Sequence, residues 1–407
     1  MDDDGAPLWG RVADNVASLT AKNPYRTQAD KPRLLIVGAG MMGREHLRVS
    51  QRLGWAEVQG IYDPFDGSID WAQSDWALLS SQSLQVYTNL REACLDSAVD
   101  AIVVCSPNHT HYDVLQIVCE SGKPVLLEKP MATTLADAME VLRLARDYPS
   151  FIQLGMQYRF KAQYAEALFE IQTQASLGAV KTIAMSEYRP PFLDKVNQWN
   201  KFNRYSGGTL VEKCCHYFDL INVIAASRPQ KIYASGGRGV NFLDFEWQGE
   251  PSDIDDHAMV VIDYDNGIRA SFTLNMFCQE LYEELVVVGE SGRLVASEQA
   301  SFRPDTPSEA RLQVEVPEHP AYRPQPVGYP PWIEETGHYG ATFFEHIAFH
   351  RQLSGERVDA ATPQQALWSL ILASAAQYSM EIGQVVDIAT FCQQAGVGDF
   401  FEENDIG

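Results

Sequence analysis

The chain has 407 residues, 45% of them hydrophobic and 21% charged, the make-up of a globular enzyme with enough sequence for two sizeable cores. Its 31 basic and 54 acidic residues give a formal charge of −23, which argues against nucleic acid and anionic membrane surfaces as partners. No apolar run approaches the roughly 18 residues of a membrane span, and the acidic start (Met1-Asp2-Asp3-Asp4) is unlike a secretory signal.

Residues 1–30 are polar, turn at Asn23-Pro24, and are read as an arm before the first domain. From there short apolar runs alternate with helical patterns: strands at 34–37, 58–62, 101–105, 125–127 and 151–154, helices at 42–53, 111–121 and 135–147, and a loop plus helix over 64–85. That alternation predicts a doubly wound parallel sheet, a Rossmann-type α/β domain over 31–154. Beyond 155 the texture changes. A helix at 162–174 and a strand at 180–188 precede a Pro- and Trp-bearing loop that ends at 205. A helix at 209–226 follows, then strands at 230–235, 257–264, 268–274, 283–289, 293–297 and 311–316. Asp265-Asn266-Gly267 and Glu290-Ser291-Gly292 read as hairpin turns, so an antiparallel α+β domain is expected over 155–407. A Pro-rich loop at 317–337 and helices at 342–353 and 363–382 complete it.

Seven cysteines (Cys94, Cys105, Cys119, Cys214, Cys215, Cys278, Cys392) lie mostly in apolar runs without metal-ligand or redox spacing. They are expected to be core thiols in a reducing, cytoplasmic setting, with no metal bound. A zinc set drawn from Glu212, Cys214, Cys215 and His216 lacks a second ligand cluster.

Four motifs carry the chemistry. Gly38-Ala39-Gly40-Met41-Met42-Gly43 follows the first strand and opens a helix, the arrangement that lets backbone amides approach a pyrophosphate. Asp63 ends the second strand 20 residues beyond Gly43, where a carboxylate meets the ribose hydroxyls. No Arg or Lys occurs in the residues that follow it, so the expected cofactor is NAD. Ser106, Pro107 and Asn108 end the 101–105 strand at the rim of the crevice, and His109 and His111 read as capping or surface residues of that segment. Glu128-Lys129-Pro130 ends the next strand, placing an ammonium where it can hold a reacting hydroxyl and stabilise the alkoxide. In Gly207-Gly208 through Asp219, Glu212 and His216 stand four residues apart, so one helix face can hold a carboxylate-oriented imidazole as general acid–base.

These residues together resemble the Gfo/Idh/MocA oxidoreductases (the glucose–fructose oxidoreductase and inositol dehydrogenase family), over about 33–390. The resemblance implies a Rossmann domain and a second domain with an open-faced, mainly antiparallel sheet that often joins subunits. It implies Gly38, Gly40, Met41, Met42, Gly43, Asp63, Ser106, Pro107, Asn108, His111, Glu128 and Lys129 as cofactor-binding residues. It implies Lys129 and His216 as catalytic residues, with Glu212 where the family usually has aspartate and Cys214 where it usually has glycine. Tyr158, Arg159, Trp199, Asn200 and Asp219 join Lys129 and His216 as candidate substrate contacts.

The expected activity is hydride transfer between NAD and a ring hydroxyl or ketone of a sugar, glycoside or cyclitol, in a homodimer or homotetramer built on the second domain's sheet. Two alternatives stay open: a redox-neutral glycosidase that oxidises, eliminates and re-reduces, and a non-catalytic NAD-dependent regulator. Retention of both Lys129 and His216 weighs against the regulator.

Overall fold

Apolar runs that lack alternation become strands buried on both faces. In the computed structural model, which describes residues 23–301, 308–317, 325–404 and 406, six strands, four of them buried almost throughout, form a parallel sheet. They are β1 (Arg33–Val37), β2 (Glu57–Tyr62), β3 (Val86–Tyr87), β4 (Ala101–Val104), β5 (Val125–Glu128) and β6 (Ile152–Gly155). Their order, β3-β2-β1-β4-β5-β6, reverses direction between β1 and β4, and a ligand crevice opens at such a switch point. The 64–85 stretch resolves as the helix Asp66–Leu79, which buries only Ser68, Ala72 and Trp76. Trp71 and Leu78 on the same helix face solvent, so apolar side chains on both faces hide its period from a sequence reading.

One expectation about the domains is corrected. Pro330–Leu367, expected in the second domain, clusters with the Rossmann strands in one compact unit that reaches Phe160. The helix Ala341–Leu353 places Phe349 in the core formed by Leu34, Ile36, Leu47 and Leu126, and the Leu154 N–H donates to the Ala361 carbonyl at 2.9 Å. Apolar side chains far along the chain complete the first core, and no local pattern announces which core they fill. Of the expected arm, residues 1–22 lie outside the described residues; Tyr25 is held by its hydroxyl, which donates to the His350 carbonyl at 3.2 Å.

The second unit runs from Lys161 to Tyr329 and resumes at Trp368. Its strands are β7 (Val180–Tyr188), β8 (Pro229–Gly237), β9 (Glu246–Trp247), β10 (Glu250–Pro251), β11 (His257–Tyr264), β12 (Arg269–Asn275), β13 (Leu281–Gly289), β14 (Arg293–Ala300), β15 (Glu309–Glu315), β16 (Gln325–Val327) and β17 (Val386–Asp387). All but the β9–β10 ribbon join one sheet in the order β16-β15-β14-β13-β7-β12-β11-β8-β17. The two hairpins expected from Asp265-Asn266-Gly267 and Glu290-Ser291-Gly292 are the antiparallel pairs β11–β12 and β13–β14. The exception to antiparallel order is β7, which inserts parallel to β12 because it arrives from a separate helical connection. Along β11, Ala258, Val260, Ile262 and Tyr264 point into the core, while Met259 and Val261 are 66% and 50% exposed on the outer face.

The inner face of this sheet is not wholly apolar. Glu187 (β7), Glu283 (β13) and Glu298 (β14) are register neighbours across three strands, and all three are buried. Lys161 bridges Glu283 and Glu298 at 2.7 and 2.8 Å, and the Tyr164 and Tyr217 hydroxyls donate to Glu283 at 3.0 and 2.8 Å. Lys213 reaches Glu187 at 3.2 Å.

Candidate active site

The candidate nucleotide seat is built on the first turn of the Rossmann sheet. Gly38 takes φ +97°, and a Cβ there would lie 2.6 Å from the Cys105 carbonyl, so only glycine fits between β1 and β4. A Cβ on Gly43 would meet the Gly38 carbonyl at 2.0 Å, which is how closely the helix Met41–Leu53 approaches the turn. Gly40 differs: a Cβ there meets nothing within 4 Å. Gly40 is also the helix N-cap and, having no side chain, leaves the first N–H groups of the helix without a side-chain cap. An open glycine before uncapped helix amides is the seat a pyrophosphate needs. Met41 is exposed and Met42 half-buried at this turn.

Asp63, at the end of β2, accepts the Ala39 N–H at 2.7 Å through Oδ2 and the Phe65 N–H at 2.8 Å through Oδ1. The carboxylate thereby ties the glycine turn to β2, and each oxygen keeps lone-pair capacity for a ribose hydroxyl. The residues present fit NAD.

His111 requires a correction. It caps the short turn Asn108–Thr110, but it is not a surface residue: it is buried, with Nδ1 2.8 Å from the Pro130 carbonyl and Nε2 2.9 Å from the Ser106 carbonyl. It therefore links the turns after β4 and β5, with both ring nitrogens engaged by backbone. Burial pulls its pKa below the ordinary value, although both carbonyl contacts act the other way. Thr110 supports the same turn by donating to Pro107 O at 2.7 Å, Asn108 is buried beside it, and His109 is exposed. Lys129, half-buried, stands at the carboxyl end of β5, and its N–H donates to Glu128 Oε2 at 3.2 Å. Tyr158 and Arg159 are buried just after β6, where Arg159 Nη1 donates to Gln365 Oε1 at 3.1 Å.

In the second unit His216, Glu212 and Asp219 are all buried. The helix expected over 209–226 is two helices, Thr209–Glu212 and Cys215–Ala225, with a break at Lys213-Cys214. Polar anchors account for the break: Lys213 turns to Glu187, and Glu212 Oε1 receives Lys195 Nζ at 3.1 Å. The four-residue spacing of Glu212 and His216 is thus not one continuous helical face. Lys195, missed by the sequence reading, also lies 4.3 Å over the Trp199 ring. Its loop offered no periodic signal. Trp199 and Asn200 are buried in that loop, and Asn200 Nδ2 donates to the Leu193 carbonyl at 2.9 Å. The Cys214 thiol is wholly buried, which pushes its pKa well up.

Family models match both units: an oxidoreductase family with an NAD-binding Rossmann fold over residues 33–156, and the C-terminal alpha/beta domain of the same oxidoreductases over 173–388. The chain belongs to the Gfo/Idh/MocA oxidoreductase family. As a member it is an NAD-binding oxidoreductase. Among relatives, the uncharacterized oxidoreductase YrbE of Bacillus subtilis is 26% identical over 87% of this chain and 95% of its own length. The inositol 2-dehydrogenase of Corynebacterium glutamicum strain R is 24% identical over 62% of this chain and 69% of its own. Among solved structures, a levoglucosan dehydrogenase in complex with NADH and levoglucosan shares the fold at a TM-score of 0.71, with 17% identity over 88% of this chain and 99% of that one. No helix among the described residues is long and apolar enough to cross a membrane.

Proposed function

We propose that this Gfo/Idh/MocA protein is an NAD-dependent dehydrogenase of a polyhydroxylated ring, a sugar, glycoside or cyclitol. The observation that carries the reading is Lys129, half-buried at the carboxyl end of β5, the rim at which open α/β sheets bind their ligands. Its ammonium holds the reacting hydroxyl oxygen and stabilises the charge that grows there. His216 accepts the hydroxyl proton in oxidation and returns it in reduction. Glu212, carrying Lys195, sets the electrostatic field near that helix, and Tyr158, Arg159, Trp199, Asn200 and Asp219 are proposed to shape the substrate site. When bound, NAD supplies the hydride acceptor; Gly38, Gly40, Met41, Met42, Gly43, Asp63, Ser106, Pro107, Asn108, His111 and Glu128 form or shape its seat.

The relatives named for inositol and levoglucosan support a cyclic polyol. A panel of sugars, glycosides and cyclitols with NAD tests the reading, scoring nicotinamide absorbance and glycoside cleavage together. Reduction of NAD by a panel member supports it. Glycoside cleavage without net NADH would convert it to the redox-neutral reaction.

Two further readings accompany it. The outer face of the nine-stranded sheet, which exposes Tyr233, Met259 and Val261, supports a homodimer or homotetramer. A monomer by light scattering at micromolar concentration with NAD bound would defeat that. Seven unbridged thiols support a reducing, cytoplasmic setting.

A further inference from the structure

Glu128, beside Lys129 in the third motif, ends a row of buried ionisable groups that reaches a helix far along the chain. His46 on the helix Met41–Leu53 and His346 on the helix Ala341–Leu353 are 300 residues apart in sequence and wholly buried. His46 Nδ1 lies 2.8 Å from His346 Nε2, and His46 Nε2 lies 3.1 Å from Glu128 Oε1. The other oxygen of Glu128 accepts the Lys129 N–H at 3.2 Å.

The direction of these bonds follows from counting protons. His346 is neutral: burial first, then His46 and His350, hold its pKa well below the ordinary value. A neutral imidazole carries one N–H, and His346 Nδ1 is buried without a hydrogen-bond partner. Orphaned buried N–H groups are rarer than orphaned acceptors, so the proton belongs on Nε2 and donates to His46 Nδ1. His46 accepts at Nδ1, so its own proton is on Nε2 and donates to Glu128. Both bonds run toward the carboxylate. The outer histidine fixes the tautomer of the inner one, as second partners do for metal-binding imidazoles.

The surrounding groups leave Glu128 as the acceptor of the row. Glu345 has both oxygens buried without partners, and burial, then Glu128 and Glu45, pushes its pKa well up, so it holds its proton. Burial opposes ionisation of Glu45, but His338 and Thr342 outweigh it and hold that carboxyl below its ordinary value. Cys105, half-buried, and His111, buried, also feel the Glu128 charge; burial raises the thiol and lowers the imidazole.

We propose that His46 and His346 are positioning residues that fix the Glu128 carboxylate against the Lys129 backbone and so align Lys129 for the reaction. This rests on the role given to Lys129 above.

Nitrogen-15 shifts of the two histidines in the NAD-bound protein test the bond direction without turnover. Both rings should be neutral with the proton on Nε2; an Nδ1 proton or a cationic ring on either would overturn the proposal. His346→Leu removes the donor, and His346→Gln restores an amide N–H at a similar reach. With NAD and the panel member oxidised fastest, His346→Leu should lower kcat about 10- to 100-fold while KM and NAD affinity stay near wild type. Without that donor nothing holds the His46 proton on Nε2 toward Glu128, so the acid limb of the pH profile should move to higher pH. His346→Gln should return both. Wild-type kcat and acid limb in His346→Leu, or equal losses in the two variants, would overturn the role. If His346→Leu does not fold, the tautomers and His346→Gln decide. Full turnover in Lys129→Met would instead sink the assignment of Lys129, while the histidine shifts still report on the row itself.

Discussion

Lys161 Nζ lies 2.7 Å from Glu283 Oε2 with both side chains shielded from solvent, an ion pair beneath the centre of the second unit's sheet. Glu298 shares the same ammonium. Burial pushes the Glu283 carboxyl up, but Lys161, Lys213 and the hydrogen bonds from Lys161 and Tyr217 outweigh it and hold it at about 2. Removing the ammonium leaves two buried carboxylates without their cation. Lys161→Met should therefore cost about 3–5 kcal/mol, read by thermal or denaturant unfolding. The sign with pH is set by Glu283. Its contribution is fully present above the ordinary carboxyl value of 4.5 and is lost as pH falls toward 2. Glu298, raised by burial, contributes with the opposite sign, losing stability as pH rises through its shifted value. Wild-type unfolding between pH 5 and 2 should show the acid loss, and Lys161→Met should lack it. Identical unfolding curves for the two proteins would show the pair contributes nothing.

NAD should bind more tightly than NADP. Asp63 is anchored to the Ala39 and Phe65 amides, so its charge cannot swing away from a 2′-phosphate. A like-charge contact there should cost about 1–3 kcal/mol, or roughly tenfold to a hundredfold in affinity. Asp63→Ala should narrow the gap, mainly by weakening NAD. Fluorescence titration with both reduced dinucleotides measures it, and equal affinity would refute it.

The two glycines at the turn should respond differently to an added methyl. Gly43→Ala drives a Cβ into the Gly38 carbonyl and should lose about 1–3 kcal/mol of stability as well as NAD binding. Gly40→Ala has open space and a compatible φ of −70°, so its melting temperature should hold. Its NAD affinity should still fall, because the space the methyl enters is the proposed pyrophosphate seat. Unchanged NAD binding in Gly40→Ala would move the seat elsewhere.

The proposed catalytic residues should fail in chemistry and not in folding. Lys129→Ala should lose about 10²–10³ in turnover, and His216→Ala about 10²–10⁴ with a flattened pH profile, while both still bind NAD. Glu212→Gln should be milder and shift the profile to lower pH, since a neutral amide supports a neighbouring imidazolium less than a carboxylate does. Loss of melting temperature and NAD affinity together in His216→Ala would mark that buried histidine as a packing residue.

Read along the chain, the sequence by itself determined the Rossmann sheet, the glycine turn, Asp63 and the place of Lys129. Each is local: a buried strand shows as an apolar run, and the turn after it must carry the glycines and polar groups that the strand end presents. It also determined the strands around Asp265-Asn266-Gly267 and Glu290-Ser291-Gly292, since turn chemistry fixes a hairpin within a few residues. Tertiary structure alone decided the remainder. Periodicity cannot report that Phe349 completes the core begun by Leu34. Nor can it report that β7 inserts parallel to β12, that Lys213 leaves its helix for Glu187, or that His111 joins two carbonyls. Buried polar side chains bond wherever a complementary group is brought within about 3 Å, and those groups arrive from distant segments. His46 and His346 meet only because two helices pack on one sheet, an outcome set by the summed burial of both and written in no single stretch of residues.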